Sequence, residues 1–173
     1  MEFKIIDNFL DKSYLENLKR VIFSPETPWF FRESLTLTGK SKDEPFYNHC
    51  LYNEHESKSS LFKHMGEILN KLNIVAINEI RINSMNSRKE QYECDWHVDR
   101  YFKCKTAILY LNTCNGYTIL KTSPETKINT IENRMVIFNS EIEHKGVSAT
   151  DTKRRLLINF NYFDDPCALT SKK

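Results

Sequence analysis

Arg155-Leu156-Leu157-Ile158-Asn159-Phe160-Asn161-Tyr162-Phe163 is the stretch on which the fold turns. Successive side chains of a strand point to opposite faces, so Arg155, Leu157, Asn159 and Asn161 share one face. Leu156, Ile158, Phe160 and Tyr162 share the other, which is apolar throughout. An arginine at the head of an inward-facing strand is costly to bury without a partner. A guanidinium fork accepts a carboxylate through two parallel hydrogen bonds, so a dicarboxylic co-substrate would supply that partner. The bland alternative is a surface arginine in the basic cluster Lys153-Arg154-Arg155.

Working back from this strand, short segments rich in Ile, Tyr, Phe and Thr recur from about residue 73. They are Ile74–Met85, Tyr92–Val98, Lys105–Asn112, Tyr117–Lys121, Lys127–Ile131 and Met135–Asn139, separated by polar or turn-like clusters. The first third reads differently. Leu15, Leu18, Val21 and Ile22 recur at helical spacing from Asp11 and stop before Pro25, and Leu61, Met65, Ile68, Leu69 and Leu72 do so from Ser59 or Ser60. Residues 24–58 read as an irregular segment with turn signals at Pro25, Pro28 and Pro45. Helices followed by a run of strands predict an α+β domain, a β-sandwich or jelly roll buttressed by N-terminal helices. The chain is expected to form one domain over 1–173, with 1–72 as helical support and loops and 73–163 as the β core.

Composition narrows the class. Of the 173 residues, 40% are hydrophobic and 12% aromatic, enough ring area to argue against disorder. A net charge of +2 is too small to point to nucleic acid, although a local basic patch stays compatible with it. No apolar stretch approaches the roughly 18–20 residues that span a bilayer, and Glu2, Lys4 and Asp7 interrupt any signal-like run. Five cysteines without a CxxC pair argue against a disulfide framework or a zinc knot, and for the reducing cytoplasm. Four glycines leave no glycine-rich phosphate loop.

Trp96-His97-Val98-Asp99 carries the chemistry. On a strand His97 and Asp99 project to one face, suitably placed to bind one metal ion, and His144 in Glu143-His144-Lys145-Gly146 is the candidate third ligand. Two imidazoles and a carboxylate form the facial triad of non-haem iron(II) oxygenases, with open positions for a keto acid and dioxygen. The same set serves catalytic zinc, so the triad alone leaves the metal open. Each histidine also has a bland reading, as a core or surface imidazole. His49 is expected to pack or cap locally, His55 to sit in a polar loop and His64 on a polar helix side; Asp95 is a reserve carboxylate. Arg155 stands eleven residues beyond His144. Tyr110, on Lys105–Asn112, falls where a phenol could donate to the same distal carboxylate.

These blocks resemble the prolyl-4-hydroxylase-like branch of the 2-oxoglutarate/iron(II) oxygenases, in particular small members encoded by bacteriophages. The resemblance rests on Trp96–Asp99, Lys105–Asn112, Asn115–Thr118, Asn133–Ser140, His144–Gly146 and Thr150–Arg155 into Asn159–Tyr162, in order over roughly residues 74–163. Asp7–Leu10 and Pro28–Phe31 match more loosely. Where many relatives carry Gly-Gly-Glu, this chain has Gly116-Tyr117-Thr118, so the neighbouring loop is expected to differ.

The resemblance implies a double-stranded β-helix (a jelly-roll, cupin-like fold) with Fe(II) on His97, Asp99 and His144. It implies 2-oxoglutarate as co-substrate, its C5 carboxylate on Arg155 with Tyr110 assisting and Asn83 touching the other end, O2 as oxidant, and ascorbate as a further requirement. Arg154 is the competitor to Arg155, but its parity groups it with Leu156. The implied activity hydroxylates a prolyl or other peptidyl residue, or a small molecule, with release of succinate and CO2, in the cytoplasm (the host cell's for a phage protein). Trp96, Arg100, Tyr101 and residues 24–58 are expected around the mouth. Three other readings stay open: a nucleic-acid base demethylase of the same superfamily, a zinc hydrolase using Glu93, Asp95, Glu141 or Glu143 as base, and a non-catalytic binding module.

Overall fold

A computed structural model describes residues 3–33 and 45–164. In chain order they form β1 (Phe3–Ile6), α1 (Lys12–Ile22), β2 (Phe30–Arg32), β3 (Phe46–Asn53), β4 (Glu56–Ser57), a 3-10 helix (Ser60–Met65) and α2 (Gly66–Lys71). There follow β5 (Ile74–Asn86), β6 (Lys105–Tyr110), β7 (Tyr117–Leu120), β8 (Thr126–Asn129), β9 (Met135–Asn139), β10 (His144–Val147) and β11 (Arg154–Asp164). The large sheet runs β1-β9-β6-β11-β5-β3-β2 with β4 on β3, and a small sheet runs β10-β7-β8. Every strand pairing is antiparallel. The result is the jelly-roll, double-stranded β-helix expected.

β11 is the axis of the large sheet, paired with β5 on one side and β6 on the other. Its apolar face (Ile158, Phe160, Tyr162, with Leu156 alongside) joins the main core with Leu15, Leu18 and Ile22 of α1 and Met65 and Ile68 of the second helical segment. Each such aliphatic side chain contributes about 1.5–3 kcal/mol on full burial. The opposite face turns toward the small sheet. There Leu157, Ile108, Tyr110, Val136 and Phe138 pack against Leu120 and Ile128. Arg155, Asn159 and Asn161 interrupt that apolar layer, and the interruption marks the site.

The structure corrects several expectations. Residues 24–58 are not irregular throughout: β3 pairs with β5 over six residue pairs, from Phe46↔Met85 to Tyr52↔Ile80, and β2 and β4 pair with β3. Asn48, His49 and Cys50 break the apolar alternation that would have revealed this strand; Asn48 accepts from Arg32, and His49 bonds Pro28 and Ser59. Part of the expected segment, residues 34–44, lies outside the described residues. β1, also within the expected support region, is an edge strand of the large sheet. Tyr92–Val98 is not a strand. It crosses β10 through two isolated bridges, Glu93↔Val147 and His97↔His144, so tertiary contacts rather than a strand ladder hold the HxD motif. Gly146 lies within β10. The second helix opens as a 3-10 segment capped by Ser59, whose hydroxyl accepts from Leu61 N at 3.1 Å. Among the described residues no helix is long and apolar enough to cross a membrane.

Candidate active site

His97 and His144 are brought together by their own main chains. His97 N donates to His144 O at 3.0 Å and His144 N to His97 O at 2.8 Å, which sets the ring centroids 4.4 Å apart. Each Nδ1 faces the carbonyl two residues back, His97 that of Asp95 at 3.1 Å and His144 that of Ile142 at 3.4 Å. Used as donors there, the Nδ1 atoms leave both Nε2 atoms as ligands, the arrangement in which outer contacts fix ring and tautomer. Phe138 packs edge-on to the His144 ring at 5.0 Å. Asp99 completes the cluster: one donor atom from each of the three residues lies within 4.8 Å of the others.

The Asp99 side chain is only 2% exposed. Burial by itself would raise its carboxyl, but His144, Arg81 and His97 and the amide of Asn159 outweigh this and hold it well below the usual carboxylate range. Burial pushes the His144 imidazole down to about 4 against the opposing pull of Asp99. His144 is therefore neutral near pH 7, and Arg81 is the lasting positive charge beside the carboxylate. Ionised carboxylate and neutral imidazole are the states a divalent metal requires of its ligands. Asp99 Oδ2 accepts from Asn159 Nδ2 at 2.9 Å and Asn161 Nδ2 at 3.2 Å, and Oδ1 from Arg81 Nη2 at 3.3 Å. Arg81 is tied in turn to Glu79, which also holds Arg100.

Arg155 is 1% exposed. Its Nε donates to Thr130 Oγ1 and its Nη2 to Thr118 Oγ1, both at 2.8 Å, while Nη1 meets only the Met85 sulfur at 3.6 Å. No carboxylate among the described residues lies in ion-pair reach of it. A Cβ on Gly146 would come within 3.3 Å of Nη1, and one on Gly116 within 2.9 Å of Arg155 Cδ and 2.8 Å of Val147 O. The two glycines thus keep the guanidinium's surroundings open. Arg155, Asn83, Asn159 and all three cluster residues line one cavity of about 70 Å³, several times the ~10–15 Å³ that a single ordered water occupies. Asn83 Oδ1 and Asn159 Oδ1 are buried without a hydrogen-bond partner. The donor set fits a divalent metal, and the unpaired buried guanidinium fits a carboxylate beside it.

The other residues named from sequence are placed as follows. The Tyr110 hydroxyl donates to Thr118 Oγ1 at 2.8 Å, and its ring lies under the Arg155 guanidinium at 5.3 Å, so it braces the arginine. Arg154 lies on the opposite face, over Tyr47. Asp95 is exposed and gives His97 its backbone carbonyl. His49 bridges Pro28 O and Ser59 Oγ at 2.6 and 2.7 Å; His55 is exposed and His64 half-buried, both outside the metal cluster. Glu93 and Glu143 pair with Lys145 and Lys121, whose ammonium groups flank Trp96. Glu141 is exposed, and Tyr101 is 91% exposed. None of these lines the cavity.

Thr118, Thr130 and Arg81 escaped the sequence reading. A threonine at an inward position of β7, between apolar neighbours, was the available signal for Thr118. A larger cavity of about 730 Å³ lies along β3 and includes Phe30, Arg32, Asn48, Cys50 and Glu79. Among the described residues it holds no metal cluster, so its size does not make it the reacting centre. In register Asn48 faces Asn83 and Cys50 faces Arg81, so that part of its lining adjoins the metal cavity, while Val21, Thr27, His49 and Leu61 line it from the helical side.

No protein-family model matches the chain, and neither does any curated protein. Solved structures do match. A prolyl hydroxylase from Trichoplax adhaerens, in complex with a peptide fragment of the oxygen degradation domain of hypoxia inducible factor, is 18% identical, with 99% of this chain and 88% of that one covered and a TM-score of 0.65. A prolyl-4-hydroxylase of Pseudomonas putida is 14% identical over 95% of this chain and 93% of its own, with a TM-score of 0.67. The epimerase SnoN, in complex with Fe3+, alpha ketoglutarate and nogalamycin RO, is 11% identical over 94% and 79%, with a TM-score of 0.65. The chain shares their fold.

Proposed function

We propose that this chain is a 2-oxoglutarate- and Fe(II)-dependent oxygenase, with iron on His97, Asp99 and His144 and the distal carboxylate of 2-oxoglutarate on Arg155. One observation carries the reading: a buried guanidinium with no carboxylate partner among the described residues opens onto the same cavity as a two-histidine, one-carboxylate cluster. When bound, the iron supplies activation of O2, coupled to conversion of 2-oxoglutarate to succinate and CO2.

The chain's own residues position and shelter. Thr118 and Thr130 orient Arg155, Tyr110 braces Thr118, and Asn83 presents a buried, unpaired amide oxygen to whatever enters the cavity. The larger cavity along β3 receives the substrate, and its size falls in the range of about 300–1,000 Å³ usual for ligand sites. A prolyl or other peptidyl residue is the substrate class we favour, a small molecule the next, with ascorbate as the reductant that sustains turnover. The peptide complex and the small-molecule complex among the structural neighbours support both classes. A zinc hydrolase would need a general base beside the metal, and Asp99 is the only carboxylate among the described residues that line the metal cavity.

The test is an anaerobic titration of metal-free protein with Fe(II) and then 2-oxoglutarate, read by the visible iron-to-keto-acid charge-transfer band. The wild type should develop the band, Asp99→Ala should lose it, and Arg155→Ala should need far more 2-oxoglutarate. No band in the wild type, with tight zinc binding instead, overturns the reading.

A further inference from the structure

We propose that Asn159 and Asn161 are positioning residues that confine Asp99 to binding metal through one oxygen, Oδ1. This rests on the metal cluster proposed above but concerns residues that the cluster itself does not include. Both asparagines lie on the cavity-facing side of β11, in register with Arg81 and Glu79 of β5. Their Nδ2 groups converge on the same atom, Asp99 Oδ2, at 2.9 and 3.2 Å. Asn161 Nδ2 also reaches Thr106 Oγ1 at 3.1 Å, which pins it to β6. The other oxygen, Oδ1, has Arg81 at 3.3 Å and lies 3.9 Å from His144 Nε2, on the ligand side of the cluster. The carboxylate is buried, so solvent does not compete for either oxygen.

The direction of both amides follows from the charge they face, since a reversed amide would point its oxygen at a carboxylate. That orientation carries a penalty. The Oδ1 atoms of Asn159 and Asn161 are both buried with no hydrogen-bond partner, and an orphaned buried acceptor is destabilising. Leucines of similar volume would remove that cost but strip the buried carboxylate of both donors to Oδ2, so the two amides are there for the carboxylate. A carboxylate binds a cation through one oxygen or two. With two histidines, one-oxygen binding leaves three positions open for a bidentate keto acid and O2, and two-oxygen binding leaves too few. Two donors on Oδ2 hold that oxygen away from the metal.

The experiment uses the full chain loaded with Mn(II) alone and counts metal-bound water by water-proton relaxivity. The wild type is compared with Asn159→Leu, Asn161→Leu and the double variant, folding being checked by circular dichroism. In the double variant Oδ2 is released to the metal and displaces one of three waters, so relaxivity at saturating Mn(II) should fall by about a third. The single variants, each keeping one donor, should lie between; they also carry the test if the double variant does not fold. Equal relaxivity in wild type and variants overturns the proposal while leaving the metal site standing. A wild type that binds no Mn(II) or Fe(II) instead overturns the oxygenase reading itself.

Discussion

Arg155 and Tyr110 meet on a single atom: Thr118 Oγ1 accepts from Arg155 Nη2 and from the Tyr110 hydroxyl, both at 2.8 Å. One threonine hydroxyl on β7 therefore sets the guanidinium of β11 against the phenol of β6. This joins the small sheet to the large one at the point where the co-substrate is proposed to bind.

Thr118→Val should loosen this join while keeping the shape. A hydrogen bond to a charged group contributes about 1.5–3 kcal/mol, and the Tyr110 hydroxyl would be left without its acceptor. The 2-oxoglutarate concentration at half-saturation of the charge-transfer band should rise about tenfold or more, with Fe(II) affinity nearly unchanged. An equal loss of iron and 2-oxoglutarate binding would contradict this.

The two glycines beside Arg155 should respond differently to a methyl group. In Gly116→Ala the new Cβ meets backbone, Val147 O at 2.8 Å, and a core overpacked in this way loses about 1–3 kcal/mol. In Gly146→Ala it meets Arg155 Nη1 at 3.3 Å, a wider contact with a side-chain nitrogen that neither threonine holds, so stability should hold better while 2-oxoglutarate binding weakens. Thermal melts and the same titration separate the two.

Stability of the metal-free protein should fall as pH drops from about 6.5 toward 4. His144 is depressed from 6.5 to about 4 in the folded protein, first by burial. Across that window the unfolded chain binds a proton that the folded protein refuses, so acid favours unfolding. At about 1.4 kcal/mol per pH unit, the full window corresponds to roughly 3 kcal/mol. Urea midpoints measured in chelator at pH 7 and pH 5 test the sign. His144→Leu should flatten the difference.

Alternation along β11 can be read from paired truncations. Phe160 is fully buried in the main core and Phe163 is 41% exposed. Phe160→Ala should destabilise by about 3–5 kcal/mol, and Phe163→Ala by well under 1 kcal/mol, as exposed positions usually do. Equal losses in urea melts would mean that the strand's faces are misassigned.

Much of this architecture follows from patterns of short range. The 3.6-residue spacing of Leu15, Leu18 and Ile22 marks α1, and the period of two along β11 sorts Arg155, Leu157, Asn159 and Asn161 from Leu156, Ile158, Phe160 and Tyr162. His97, Asp99 and His144 carry metal-binding chemistry in their side chains wherever they stand, so they could be singled out before any fold was known. β3 was missed because its polar residues answer to partners elsewhere: His49 to Pro28 and Ser59, Asn48 to Arg32. A strand shaped by such contacts loses the alternation that announces one.

The sequence by itself determined the helix, the two faces of β11 and the residue types able to hold a metal and a carboxylate, since these depend on local periodicity and side-chain chemistry. Only the tertiary structure decided that Tyr92–Val98 crosses β10 instead of forming a strand, and that Thr118 and Thr130 hold Arg155. The same is true of the two amides that grip one oxygen of Asp99. Each of those relationships joins residues 25 to 62 positions apart, and strand pairing across such separations is settled by burial and hydrogen-bond satisfaction over the whole core, which no local pattern records.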